Sequence, residues 1–174
     1  MEEKESTEKP SIMSVSLRFG GIMAIASIAY MMILIAVGAN PFESDWKGWI
    51  SALVSVGILV FAHKYFKDNG DGYMTYGQGL GIGFLSVMVS VIVGGLFSYV
   101  YANFIDAGMM EDLWQKTAEN MEAQGQSEEV IETALSWTKK LFWLFYFLGG
   151  AFGGLVMGLI VSIFTQKKNP EPFA

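Results

Sequence analysis

Long uncharged apolar runs alternate with short polar segments along the whole chain. Four runs, at residues 19–39, 48–66, 80–105 and 141–165, have lengths suited to crossing a hydrocarbon layer of about 30 Å as α-helices. The last run holds twenty-five residues without a charge. The second run is uncharged over only fifteen residues, but Lys64 and Tyr65 extend it with polar ends that suit a membrane interface. The pattern predicts an all-α, polytopic membrane protein with four transmembrane helices.

The polar segment between the third and fourth runs, residues 107–140, has the periodicity of an amphipathic helix. Gly125 ends this helix, and Ser127 followed by Glu128 and Glu129 begins another that continues into the fourth run. A helix over residues 128–165 would be about 57 Å long at about 1.5 Å per residue, so it projects beyond the membrane. We therefore predict a helical insert on the outer side. Its apolar face comprises Met110, Leu113, Trp114 and Met121.

The polar ends of the chain predict two cytoplasmic tails. One, at residues 1–18, is predicted to be flexible, and the other is the short segment at residues 169–174. A cleaved signal peptide is the rival interpretation of the first apolar run, but that run exceeds the usual apolar core of about 7 to 15 residues and follows an acidic segment. Seven of the eleven Lys and Arg residues fall on the side of the chain termini. The positive-inside rule therefore predicts that both termini are cytoplasmic.

Composition narrows the classes of function. Of the 174 residues, 52% are hydrophobic, which leaves too little polar sequence for a separate soluble catalytic domain. A net charge of −6 disfavours nucleic acid as a partner, because phosphate neutralisation needs clustered cations. The chain has no cysteine and one histidine, His63, which we expect at a membrane interface. We predict no catalytic residue, no cofactor and no metal site.

Small residues form two rows in the apolar runs and predict close helix packing. The row in the third run consists of Ser86, Ser90, Gly94, Ser98 and Ala102. The row in the last run consists of Gly149, Gly150, Gly153, Gly154 and Gly158. We expect the third and fourth spans to pack through these two rows. Serines could instead line a polar path, but a serine in a membrane helix more often bonds its own backbone.

The sequence indicates only a broad class of function. The span centres contain no Asp, Glu, Lys, Arg or His, which argues against an ion-coupled pump. The sequence also has no pairing of a nucleophile with a base that would indicate an intramembrane enzyme. The leading hypothesis is a non-enzymatic accessory or assembly subunit in the lipid bilayer, working as a homo-oligomer or with a membrane-protein partner that binds the apolar face of the insert. The alternative is a small oligomeric carrier or pore for a neutral or lipidic solute.

Three segments carry a resemblance to a known family: DGYMTYGQGLGIG at residues 71–83, YVYANFID at 99–106 and SEEVIETA at 127–134. Over residues 19–168 the chain resembles domain-of-unknown-function family 4199, a group of small four-span bacterial membrane proteins. The resemblance implies four spans, a helical insert and a location in the bacterial inner membrane. It implies no activity.

Overall fold

The computed structural model describes residues 9–43 and 46–170. Its five α-helices are α1 Ile12–Ala36, α2 Lys47–Asp68, α3 Tyr76–Val100, α4 Gly108–Ala123 and α5 Glu128–Thr165, and α3 continues into a π-helical turn, Tyr101–Ile105. Four helices, α1, α2, α3 with its π-helical turn, and α5, are long and apolar enough to cross a membrane. The prediction of an all-α chain with four membrane-spanning helices is confirmed. Within the described ranges, the only β-bridge is an isolated one between Met74 and Lys167.

Local capping sets where two helices begin. Ser11 Oγ accepts a hydrogen bond from the Ser14 amide, and Ser14 Oγ accepts one from the Ser11 amide, both at 3.0 Å, so α1 begins at Ile12. The prediction of a flexible tail through residue 18 is therefore wrong for residues 12–18, while residues 1–8 and 171–174 of the predicted tails lie outside the described residues. Thr75 and Gln78 cap α3 in the same way.

The central helix is α3, which packs against α1 on one face and α5 on another. Two apolar clusters fill the interior. One consists of Val15, Ala62, Phe66, Met74 and Ile82, and the other of Met23, Leu59, Val87 and Val161. The second cluster contains one residue from each of the four spanning helices, so all four helices contact one another through it.

The ends of the helices gather at two opposite ends of the bundle. At one end the Met74 and Lys167 backbones exchange two hydrogen bonds of 2.9 Å, which join the α2–α3 turn to the segment after α5. The start of α1 lies there as well, since Ser16 Oγ donates to the Ile82 carbonyl at 3.4 Å. At the other end the Asn40 amide donates to the Met109 carbonyl at 2.7 Å and brings the α1–α2 loop to α4. The beginning of α1 and the end of α5 therefore share one end.

The outward faces of the spanning helices are apolar. On α2, Trp49, Leu53 and Phe61 are exposed, and on α5, Phe152 and Phe164 are exposed. Contiguous apolar surface of this kind is unfavourable in water and is what a hydrocarbon environment covers. The long α5 and the separate α4 occupy the region of the predicted insert and meet at Gly125, whose φ of +78° suits glycine. That the insert is amphipathic and lies on the outer side stays a prediction.

Candidate functional site

The α3–α5 interface is a close approach of two backbones. A Cβ at Gly154 would lie 2.7 Å from Val87 Cγ1, and one at Gly83 would lie 2.8 Å from the Cα of Gly158. Gly150 likewise has no room for a side chain, since its Cβ would meet a valine of α3 at 2.7 Å. These contacts leave no space for larger residues, so the glycines set the distance between α3 and α5.

The α3 residues at this interface recur at every fourth position: Gly79, Gly83, Val87, Val91 and Gly95. They are not the serine row, so the prediction that this row meets the glycines of α5 is wrong. An α-helix of 3.6 residues per turn carries several such rows, and a central helix uses more than one of them. The sequence shows where side chains are small, but the neighbour that meets them depends on how α1 and α5 are arranged around α3.

The serine row of α3 is directed to α1 instead. Ser98 Oγ donates to Met31 Sδ at 3.3 Å, and a Cβ at Gly94 would lie 2.8 Å from Ser27 Oγ. Ser86 and Ser98 are buried, whereas Ser90 is half-buried. The row therefore serves helix packing, with α1 as its neighbour.

The five predicted glycines of α5 divide between two faces. Gly150, Gly154 and Gly158 face α3, but a Cβ at Gly149 or Gly153 would meet no atom of the described chain within 4 Å. Gly149 and Gly153 are four residues apart and lie on one helix face. This pair, the open glycine face, is directed away from the bundle.

The predicted partner surface on α4 is used largely within the chain. Leu113 is buried, and the Trp114 ring packs edge-on against Phe142, with ring centroids 5.4 Å apart. Met110 and Met121 are half-buried. The apolar face of α4 thus rests on α5, and its contact with another protein stays a prediction.

Charged contacts also hold α4 in place. Lys116 of α4 forms an ion pair with Glu43 of the α1–α2 loop, and Lys47 Nζ lies 3.8 Å from the same carboxylate. The hydrogen bond that Lys116 donates to Glu43, followed by the negative charge of that carboxylate, raises the pKa of Lys116 above its ordinary value. Because Lys116 is exposed, this contact orients α4 more than it stabilises the fold.

A cavity of about 230 Å³ opens between α1 and α2 beside these charges. Five hydroxyl-bearing side chains line it: Ser27, Tyr30, Ser51, Ser98 and Tyr146. Phe42 forms part of its wall and also borders two neighbouring crevices of about 400 and 430 Å³. The Phe42 ring packs against Phe142, Trp143 and Tyr146 at centroid distances of 5.8 to 6.4 Å. An aromatic cluster thus separates the three spaces.

The expectation that His63 lies at the level of a membrane interface stays a prediction, but its side chain faces the interior of the bundle. Its side chain is fully buried, with Nδ1 2.6 Å from Thr165 Oγ1 and Nε2 3.0 Å from the Gly79 carbonyl oxygen. Lys67 Nζ donates to the Thr165 carbonyl at 2.8 Å. These contacts form a polar latch of His63, Lys67, Gly79 and Thr165 that joins α2, α3 and α5. The spacing of His63 and Lys67, one helical turn apart on α2, is the signal that could have indicated a shared polar face.

Within residues 9–43 and 46–170, no three His, Cys, Asp or Glu side chains lie close enough together to hold a metal ion. The architecture is that of a helical membrane protein with four candidate membrane-spanning helices. The chain belongs to the family described as "Protein of unknown function (DUF4199)", whose sequence model matches residues 18–167. This match confirms the family indicated by the three sequence motifs. No curated protein and no solved structure matches the chain.

Proposed function

We propose that this protein is a non-enzymatic accessory or assembly subunit of the bacterial inner membrane, with both termini cytoplasmic, that binds a second membrane helix through α5. The observation that carries the proposal is the open glycine face of Gly149 and Gly153, which has no neighbour within 4 Å in the described chain. The second helix belongs either to another copy of this chain or to a membrane-protein partner.

The physical basis is the packing of helices in lipid. Lipid tails are as apolar as leucine, so two helices gain affinity mainly by close van der Waals contact, which glycines four residues apart permit. The exposed side chains of Phe145, Phe152 and Val156 lie on the same part of α5 as the two glycines. A glycine groove between large side chains is a shape into which a second helix fits.

A catalytic role has little support in the buried side chains. The buried polar residues of the described chain are four serines and His63. Both ring nitrogens of His63 are engaged, by the Thr165 hydroxyl and the Gly79 carbonyl. A histidine held in this way acts as a structural joint, which supports the non-enzymatic proposal.

The test is affinity purification in mild detergent, comparing Gly153→Leu with Gly57→Leu. Gly57 of α2 is a matched control, because a Cβ there also meets no atom within 4 Å. We expect Gly153→Leu to reduce the recovered homo-oligomer or partner at least tenfold, which corresponds to about 1.4 kcal/mol, with the monomer still folded. Equal recovery for the two variants would contradict the proposal.

A second candidate function is a small oligomeric carrier for a neutral or lipidic solute, and the hydroxyl-lined cavity favours it. Proteoliposomes that contain only the purified protein separate the two roles. Solute uptake by the purified native protein alone would support the carrier and leave the subunit role without support.

A further inference from the structure

The hydroxyl-lined cavity lies toward the end of the bundle that carries the loop between α1 and α2. Glu43 and Lys47 line it near the loop between α1 and α2, and Ser27 lies deeper along α1. From Leu34 to Ser27 the lining follows α1 for about 10 Å at about 1.5 Å per residue. Farther along α1 lies Met23, a member of the apolar cluster that spans the bundle. The apolar cluster therefore separates the cavity from the opposite end of the bundle.

The hydrogen-bond arrangement determines what the cavity can bind. Ser27 Oγ donates to the Ala24 carbonyl at 2.9 Å, and Tyr30 Oη donates to the Lys47 carbonyl at 2.9 Å. Ser98 Oγ donates to a methionine sulfur. Since each hydroxyl has one proton and two lone pairs, these three oxygens remain acceptors. A ligand that fits them must donate hydrogen bonds.

The charges at the mouth disfavour an ion. Glu43 and Lys47 both line the cavity, and Glu43 is also paired with Lys116. An entering anion meets the Glu43 carboxylate and, deeper in, three hydroxyl oxygens whose protons are already used, those of Ser27, Tyr30 and Ser98. An entering cation meets the Lys47 ammonium. An uncharged donor-bearing molecule avoids both conflicts.

We propose that this cavity is a binding site for an uncharged, hydroxylated group of glyceryl size. Its volume of about 230 Å³ equals that of roughly eight water molecules at about 30 Å³ each, which suits such a group. The group belongs either to a free polyol or to the headgroup of a glyceride lipid. In the lipid case the acyl chain lies in the adjoining crevice of about 400 Å³, which shares Phe42 and Tyr146 with the cavity and contains Leu141 and Phe145. Binding here requires neither the partner helix nor transport.

The chain has no native cysteine, so single cysteines report on the cavity without background. Ser51→Cys and Ser27→Cys place a thiol on opposite walls, which guards against a folding defect in either one. Ser136→Cys, on an exposed part of α5, is the accessible control, and Ser162→Cys, at a fully buried position outside the cavity lining, is the inaccessible one. The measurement is the rate of modification by 2-hydroxyethyl methanethiosulfonate in detergent, with glycerol, monoolein or oleate added.

We expect the two cavity thiols to react much faster than Ser162→Cys, which needs a local opening and reacts about a hundredfold more slowly than Ser136→Cys. A ligand at about twice its Kd fills two thirds of the sites, so it slows the cavity thiols about threefold relative to Ser136→Cys. Slowing by glycerol identifies a free polyol, and slowing by monoolein without an effect of glycerol identifies a glyceride. The proposal is overturned if neither slows the reaction, if oleate slows it as much, or if both cavity thiols are as inert as Ser162→Cys.

Discussion

Replacing Gly83 by Ala tests whether backbone contact between α3 and α5 sets their spacing. The added Cβ would lie 2.8 Å from the Cα of Gly158, whereas ordinary contacts of this kind begin at 3.4 Å. The obstructing atom belongs to a helix backbone and cannot rotate away. The two helices must therefore separate by about half an ångström or more, which also loosens the neighbouring contact of Gly154 with Val87.

The magnitude follows from two opposing terms. Inserting one methyl group into a packed interior costs about 1–3 kcal/mol. Alanine in place of glycine in a helix returns about 0.5–1 kcal/mol, because the unfolded chain loses conformational freedom. We therefore expect Gly83→Ala to lower the free energy of unfolding by about 1–2 kcal/mol.

The matched control is Gly57→Ala in α2. It makes the same chemical change in a spanning helix, at a position where a Cβ meets no atom within 4 Å. In this control only the favourable effect of replacing glycine by alanine remains. Its free energy of unfolding should therefore equal or exceed that of the native chain. Thermal unfolding in one detergent, followed by circular dichroism, compares the two at about 2–4 °C per kcal/mol. If Gly83→Ala melts at the temperature of Gly57→Ala, backbone contact does not set the α3–α5 spacing.

Three further predictions concern the latch, the insert and the orientation. His63→Leu should lower the stability in detergent by about 1–3 kcal/mol, because the buried Gly79 carbonyl loses a donor and α2 loses one of its two polar links to α5. Trp114→Ala should release α4 from α5 and speed its proteolysis, while the four spanning helices stay folded. Reporter fusions after Gly70 and Gly125 should read cytoplasmic and external, respectively, because these positions lie at opposite ends of the bundle.

Controls for these experiments come from nearby exposed residues. Lys64→Gln, next to His63 but exposed, should leave the melting temperature unchanged, and an equal loss in both variants would refute the latch. Trp137→Ala should leave proteolysis of α4 unchanged, because Trp137 is exposed. Unaltered proteolysis in Trp114→Ala would show that the ring contact does not hold α4. Two fusions that read the same side would refute the arrangement of ends.

The four spans and the long α5 could be predicted because they depend on properties that the chain carries locally. An apolar run that matches the hydrocarbon thickness becomes a spanning helix whatever its neighbours are. The start of α1 could also have been predicted from the local sequence, because two serines three residues apart, Ser11 and Ser14, can form a capping box. Only the charged residues around them favoured a tail.

The role of each packing row could not be predicted, because it depends on which helices become neighbours. Ser86 and Ser98 are small and lie on a helix, but nothing in their spacing distinguishes α1 from α5 as the neighbour. The burial of His63 is hidden for the same reason. Its partners, Gly79 and Thr165, are 16 and 102 residues away in the sequence. A polar joint of this kind becomes visible only when three helix ends are brought together.

The two ends of α2 are held in different ways, and this difference links the latch to the cavity. Contact between apolar side chains gains little over contact with lipid, so polar contacts matter more for positioning a helix in a membrane. Around His63, α2 is bonded to both α3 and α5. Around Lys47, its backbone is bonded to α1 through the Tyr30 hydroxyl, and the cavity lies beside this bond. We therefore expect a molecule that fills the cavity to act on the Lys47 end of α2, while the latch keeps the His63 end in place.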